Sequence, residues 1–372
     1  MRPDIIVVGA GMVGAAIAYG LTARGERVLL LDGSDGDFRA ARANFGLVWL
    51  QGKGMGLPAY QTLTRRSIVG WRDFAGELEA LCGTDLCYEQ NGGLAFCVGA
   101  EAFEKREATL RRLHNQWGGG APDWEMIDRP TLQRLMPKAA LGPEVTGASF
   151  GRLDGHANPL RLLAALQAGV TRRGGAVRSN AVVREITRVG GDFHLQVGDE
   201  AIVAPRVVIA AGLGTADLAR QVGLDVPIRP ERGQILVTER LQPLLPLPAS
   251  GLRQTADGTV MIGATKEDVG FDVSTTGDAA SHLSRNTIRL VPALAQARLV
   301  RQWAGLRIMT PDSYPIYAQS ESHPGAFAAV CHSGVTLAAF HAGALAAAIA
   351  AGALPDDLSP FHMSRFDVPQ AA

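Results

Sequence analysis

Three glycines after the first apolar run constrain this chain more than any other feature in it. Residues 4–8 are apolar and β-branched, and Gly9, Gly11 and Gly14 follow at once as GxGxxG, opening an alanine-rich helical stretch over 12–24. A second apolar run at 27–31 ends in Asp32, 18 places after Gly14. Strand, helix and strand with this punctuation predict a unit built to hold a dinucleotide. The first glycine permits the tight turn, the second lets backbone approach a pyrophosphate, and the third lets helix and strand pack closely. The helix N-terminus offers N–H donors and positive potential to phosphates, and Asp32 can accept from a ribose hydroxyl. Met12, Val13 and Gly33, their neighbours, join the candidate cofactor-binding set. A merely glycine-rich turn is the competing explanation, and the strand context and the acid argue against it.

FAD and NAD share the ADP half that this fingerprint reads, so the rest of the chain must separate them. An NAD dehydrogenase of the doubly wound type would continue in strand–helix units; here the rhythm breaks after Asp32 into a glycine-rich loop and inserted segments, which favours FAD. Helical patterns follow at 62–81, 101–116, 159–173 and 279–290, and strands at 94–98, 233–238, 259–263 and 326–330. Residues 176–189, 193–197 and 201–203 alternate like a meander, 206–211 read as a buried strand closed by Gly212, and 361–372 lack any period and predict a surface tail. No linker or repeat divides the chain, so a second domain must be inserted into the first.

Composition closes several alternatives. Hydrophobic residues make up 47% and charged residues 19%, with Lys+Arg 36 against Asp+Glu 36, which argues against disorder and against nucleic acid as a partner. Lys53, Lys105, Lys138 and Lys266 are the only lysines, leaving few candidates for a Schiff base. Cys82, Cys87, Cys97 and Cys331 contain no CxxC pair, so zinc ribbons and iron–sulfur clusters are poor readings, no metal is expected, and reduced thiols of a cytoplasmic protein are the reading. Residues 5–21 have the length of a signal-peptide core, but the glycine fingerprint explains them better. Residues 335–354 are nearly all apolar, yet they are built of alanine and interrupted by His341, which predicts a buried helix rather than a bilayer span.

Taken in order, seven segments resemble the D-amino-acid oxidase superfamily of flavoproteins, which includes glycine oxidase, sarcosine oxidase and the amino-acid-oxidising subunits of opine oxidase type complexes. They are residues 5–32, 156–177, 207–219, 229–239, 260–272, 303–317 (WAGLRIMTPDSYPIY) and 332–343 (HSGVTLAAFHAG). The loop ANFGLVWLQGKG at 43–54 looks most like opine and D-hydroxyproline dehydrogenase type subunits. The resemblance implies an α/β (α+β) fold: a discontinuous Rossmann-like FAD-binding domain (1–81, 145–225 and 305–365) with an inserted substrate domain (82–144 and 226–304) on a mixed, largely antiparallel sheet, then a tail at 366–372. It puts Gly9, Gly11, Gly14 and Asp32 on the ADP half and Val183 near the adenine. It puts Arg42, Ala43, Asn44, Phe45 and Gly46 beside the flavin, and Ala211 and Gly212 near the pyrophosphate. Gly334, Val335, Thr336 and Leu337 fall at the flavin pyrimidine edge, where the start of a helix would stabilise the charge of reduced flavin.

Arg307 occupies the arginine position of the family's AGLRP stretch and is expected to bind the substrate carboxylate; capping a helix or pairing with Asp312 is the alternative. Ile308, Ser313 and Cys331 depart from the family's proline, glycine and glycine, which changes the pocket wall. Arg253, Gln254 and Thr255 precede a strand that faces the substrate by resemblance, so Arg253 or Thr255 selects the side chain, or all three shape a turn. Asn44, Trp49 and Gln51 either touch ligand or pack the loop. His332 and His341, nine apart around a glycine-rich turn, suit packed histidines better than catalysts or metal ligands.

The implied reaction moves hydride from Cα of a small amino acid to flavin N5, giving an imine; a secondary or D-amino acid (D-proline, hydroxyproline, sarcosine, glycine or an opine) is the expected substrate. No cysteine lies between 303 and 317, where sarcosine oxidases attach their flavin, so the FAD is expected to be noncovalent. Three readings stand: a complete oxidase or dehydrogenase, a flavoprotein subunit active only within a heteromeric electron-transfer complex, and an FAD-binding protein without turnover. The electron acceptor is left open among oxygen, a quinone and partner subunits, and the expected location is cytoplasmic or at the inner membrane through a complex.

Overall fold

The computed structural model describes residues 2–33 and 40–367; the last five residues of the expected tail lie outside the described residues. A six-stranded sheet carries the N-terminal fingerprint. Its strands run Ile316–Gln319, Ala326–Val330, Val207–Ile209, Ile5–Val8, Val28–Leu31 and Ala176–Arg178, all parallel except the first, which is antiparallel to its neighbour. Every residue of Ile5–Val8 is buried because both faces are covered. Ile5 and Val7 join the core beneath the helix Met12–Thr22, whereas Ile6 and Val8 point to the meander Val183–Val189, Asp192–Val197 and Glu200–Ala204 and pack with Phe193 and Leu195.

The alanine-rich C-terminal segment is a buried helix, and small residues are what its position requires. A Cβ on Gly20 would lie 2.0 Å from the Ala342 carbonyl oxygen and 2.6 Å from Ala346 Cβ, so the two helices cross nearly backbone to backbone. The helix runs Ala338–Phe340, widens into a π turn at His341–Leu345 and continues as Ala346–Ala351. His341 in the wide turn is buried, and its Nε2 shares a 2.8 Å hydrogen bond with Tyr317 OH. No helix among the described residues is long and apolar enough to cross a membrane.

The second sheet is mixed and largely antiparallel, as expected. Leu252–Gln254, Thr259–Gly263, Arg229–Arg240 and Leu299–Met309 form one run, Gly93–Val98, Val145–Gly151 and Trp124–Asp128 another, and a parallel bridge from Leu94 to Ala249 joins them. Val145–Gly151 pairs within this sheet, just after the divide expected at 144/145, and the divide expected at 304/305 falls inside the strand Leu299–Met309. The helix read over 62–81 is two helices, Pro58–Val69 and Trp71–Cys82, broken at Gly70. The tail expected from 361 begins later, because Phe361 is buried edge-on against Tyr60 and Tyr317.

Candidate functional site: a dinucleotide cleft with an arginine clamp

The fingerprint glycines are not equivalent. Gly9 has φ +104° and abuts the Ala210–Ala211 backbone, with its missing Cβ 2.4 Å from the Ala210 carbonyl oxygen. A Cβ on Gly14 would stand 1.9 Å from the Gly9 carbonyl oxygen. The fold itself demands these two. Gly11 has an ordinary φ of −73°, and the nearest atom to a Cβ there is Ala41 Cβ at 3.9 Å. Among the described residues nothing requires glycine at 11, and none caps the helix that begins beside it with a side chain. An open cradle over an uncapped helix N-terminus fits a pyrophosphate. Asp32 Oδ1 accepts the Ala10 N–H at 3.1 Å, which fixes the carboxylate at the edge of that cradle. The Asp32 carbonyl accepts from Ala181, so the chain entering Val183 passes beside the carboxylate.

Two further segments close on the same helix. Gly334 leaves only 3.3 Å between a would-be Cβ and Met12, and its segment is held from behind: Trp71 Nε1 donates to the Val335 and Thr336 carbonyls and Ser67 Oγ donates to Thr336 O. Leu337 N–H donates to Ser333 O, forming a helical turn ahead of the C-terminal helix. Gly212 (φ +60°) follows the strand Val207–Ile209, and a Cβ there would be 3.8 Å from Ile308, next to Arg307. The Gly212 turn thus packs against the strand that carries Arg307.

Arg307 is oriented by protein and still has donors to give. Nη1 donates to Glu231 Oε1 (3.1 Å) and the Arg232 carbonyl (3.4 Å), Nη2 donates to the Thr265 carbonyl (2.9 Å), and Gly233 supplies the room, since any Cβ there would strike the guanidinium. Among the described residues, Nε–H and one Nη2–H have no acceptor, the donor pair that grips a carboxylate bidentately. Asp312, the alternative partner, is instead paired with Arg365. His332 lies open to solvent, yet it is enclosed on its other sides; that enclosure, then Lys53, Arg307 and Lys266, lower its pKa well below the ordinary value and keep the ring neutral.

The flavin-side loop expected at 42–54 is pinned from three directions. Thr336 Oγ1 accepts the Trp49 N–H and donates to the Leu47 carbonyl, both at 3.2 Å. Buried Asp154 Oδ1 accepts the N–H groups of Leu50 and Gln51. The Gln51 amide is spent on protein, donating to Gly93 O and accepting from Ser149 Oγ and Arg106 Nη2. Asn44 Oδ1 accepts the Gly46 N–H at 2.7 Å, Ala43 is buried, Arg42 is exposed, and Trp49 is nearly buried with its ring against Gly93. The Gln51 amide and the Trp49 backbone are thus engaged by the protein itself.

Burial pushes Asp154 up to about 7, against the pull of the Leu50 and Gln51 N–H groups. The native state then keeps a proton that the unfolded chain releases near pH 4, so stability falls as pH rises from about 4 to about 7. Asp154→Asn is expected to lose this dependence, its Tm gaining on the wild type by several degrees between pH 5 and pH 8, checked by thermal scans across that range.

Of the three residues before the strand at 259, Arg253 alone points inward. It is buried, lies 5.9 Å from the Phe45 ring centroid, reaches Met261 Sδ and approaches His156 Nδ1 at 3.4 Å; burial pushes its pKa down to about 10. Gln254 Oε1 accepts from Leu244 and Leu245, and Thr255 Oγ1 shares a hydrogen bond with Thr259, so both are turn residues. Sequence reading missed Glu231, Lys53, Ser333 and Asp154. The one available signal was Lys53, a rare lysine set between two glycines.

A Rossmann-type strand–turn–helix unit, with an oriented arginine on the neighbouring sheet, defines a dinucleotide-binding fold. The family described as DAO, FAD dependent oxidoreductase, matches residues 4–348, and the chain belongs to it. It is 42% identical over 369 residues to an opine oxidase subunit of Agrobacterium tumefaciens, covering 99% of both chains, and 30% identical over 361 residues to the hydrogen cyanide synthase subunit HcnC of Pseudomonas protegens, covering 87% of this chain and 86% of that one. The crystal structure of glycine oxidase from Geobacillus kaustophilus superposes with a TM-score of 0.87 at 26% identity, covering 98% of this chain and 99% of the other. The protein is thus an FAD-dependent oxidoreductase with the fold of glycine oxidase.

Proposed function

We propose that the protein oxidises a small secondary or D-configured amino acid to the corresponding imine, with noncovalent FAD as cofactor. The observation that carries this reading is the pair of free N–H donors on Arg307 at the end of the dinucleotide cleft. When bound, FAD supplies the hydride acceptor. Arg307 grips the carboxylate and so fixes the position of Cα, while Glu231 and the Thr265 carbonyl keep the guanidinium from turning. His332, neutral beside three cations, walls the cleft without adding a charge. The Gly334–Thr336 segment offers N–H groups where negative charge develops, and Gly11 and Asp32 hold the far end of the cofactor.

Within this reading the chain is best placed as the flavoprotein subunit of a heteromeric complex. The supporting observation is its end-to-end similarity to a protein named as a subunit of opine oxidase. An opine, a secondary amine made from an amino acid, then becomes the favoured substrate. The test is steady-state turnover of opines, D-proline, D-hydroxyproline, sarcosine and glycine with oxygen and with a phenazine dye. Turnover of a secondary amino acid with the dye but scarcely with oxygen is expected; equal rates with both would favour a complete oxidase, and oxidation of amines lacking a carboxylate would refute the clamp.

A further inference from the structure

The carbonyl that orients Arg307 is spared from the sheet by its own side chain. Beyond the strand Thr259–Gly263 the chain runs on, antiparallel, beside Arg229–Arg240. Arg232 and Glu267 exchange both backbone hydrogen bonds there, Arg232 N–H to Glu267 O at 2.9 Å and Glu267 N–H to Arg232 O at 3.0 Å. At Gln234 the ladder is kept in one direction only. Thr265 N–H donates to the Gln234 carbonyl at 3.3 Å, but the Gln234 N–H donates to Thr265 Oγ1 at 2.9 Å instead of to a backbone carbonyl. The Thr265 carbonyl is left to accept Arg307 Nη2–H at 2.9 Å, and the guanidinium reaches it over Gly233, where a Cβ would lie 2.6 Å from Nη2. The hydroxyl that makes this exchange is itself fixed. It donates to Glu267 Oε1, and the Glu267 carboxylate also accepts from Gln234 Nε2 at 3.0 Å and Arg232 Nη2 at 2.6 Å. Arg232 and Gln234 are 4% and 0% exposed, so these bonds are made out of water. A buried ion pair is a weak source of stability, because desolvation offsets its attraction. What this one fixes is the acceptor for a single threonine hydrogen.

We propose that Thr265 and Glu267 are positioning residues for the carboxylate clamp: the Thr265 hydroxyl stands in for a carbonyl in the ladder, so that the Thr265 carbonyl is free to hold the Arg307 guanidinium. The inference rests on the reading of Arg307 as that clamp. Valine at 265 would keep the branched shape and remove the hydroxyl. The Gln234 N–H, enclosed in the sheet, must then take a backbone carbonyl, and the one at 265 is the ladder's own. Arg307 would lose an acceptor, and its remaining donors would no longer be fixed in one plane.

The test is calorimetric binding of methoxyacetate, a carboxylate with no nitrogen to oxidise, to the full chain reconstituted with FAD. Thr265→Val is expected to weaken binding about tenfold, whereas Thr265→Ser, which keeps the hydroxyl, should stay within about twofold of the wild type. Glu267→Gln still accepts the threonine hydrogen but loses the charge that Arg232 holds, so a loss of about threefold is expected. FAD affinity should be unchanged in all three. Wild-type affinity in Thr265→Val, a serine variant as weak as the valine one, an equal loss of FAD affinity, or no measurable binding by the wild type would each overturn the proposal. Should Thr265→Val fail to fold, Glu267→Gln decides, and unchanged methoxyacetate binding there would overturn it. Arg307→Met binding methoxyacetate as tightly as the wild type would sink the clamp and the proposal together. Failure of every amine to reduce the flavin, with the threonine series as expected, would sink the oxidation reading and leave the role of Thr265 standing.

Discussion

Arg307→Met is expected to lower kcat/KM for flavin reduction by amino acids by about 10²- to 10³-fold, with FAD still bound. Truncating one partner of a buried, hydrogen-bonded charge pair costs about 2–5 kcal/mol, and each 1.4 kcal/mol is about tenfold. The loss should fall on substrate affinity and on the reductive step together, because the carboxylate grip is what places Cα. Arg307→Lys should rescue little, since an ammonium cannot supply the Nε–H and Nη2–H pair from one plane. Glu231 keeps Arg229 nearby at 3.9 Å, so its carboxylate is not left alone in the variant. Anaerobic stopped-flow reduction measures both parameters. An unchanged rate would mean that the carboxylate is held elsewhere, or that the chain binds FAD without turning over amino acids.

A side chain at position 11 should abolish FAD binding without unfolding the protein. Gly11→Val projects into the space over the uncapped helix, where the nearest protein atom to a Cβ is 3.9 Å away. The fold has room for it and the pyrophosphate does not. A colourless protein with Tm near that of wild-type apoprotein and at least about a hundredfold weaker FAD binding is expected, equivalent to about 3 kcal/mol. Gly14→Ala is the contrast: its Cβ would sit 1.9 Å from the Gly9 carbonyl oxygen, so the helix must shift and the apoprotein itself should lose about 1–3 kcal/mol. Fluorescence titration with FAD and thermal melts separate the two effects. A yellow Gly11→Val protein would show that the cradle serves something other than a pyrophosphate.

The N-terminal unit was legible because its signals are local: the strand, glycine turn and helix each carry their own period. The second sheet was legible only in part. Val145–Gly151 (VTGASFG) carries glycine at 147 and 151, where the Ile127 carbonyl and the Asp154 carboxyl group must be admitted, and those glycines break the alternation that marks a strand. Arg307 could be named from its motif, whereas its orientation by Glu231 depends on the pairing of two strands 76 residues apart. Ligand contact and loop packing were both open for Gln51 and Trp49, because the groups that engage them and their loop, Asp154, Arg106 and Gly93, come from distant segments. Lys53 drew notice only through rarity, since its partner Ser333 lies 280 positions away.

Whether this chain alone oxidises an amino acid is decided by the visible flavin spectrum of the purified protein, reconstituted with FAD and mixed anaerobically with an opine, with no partner protein present. The expected result is a yellow protein whose flavin band bleaches on mixing, because clamp, cleft and cofactor site all lie within this chain. A yellow protein that stays oxidised with opines, D-proline, D-hydroxyproline, sarcosine and glycine alike would contradict it.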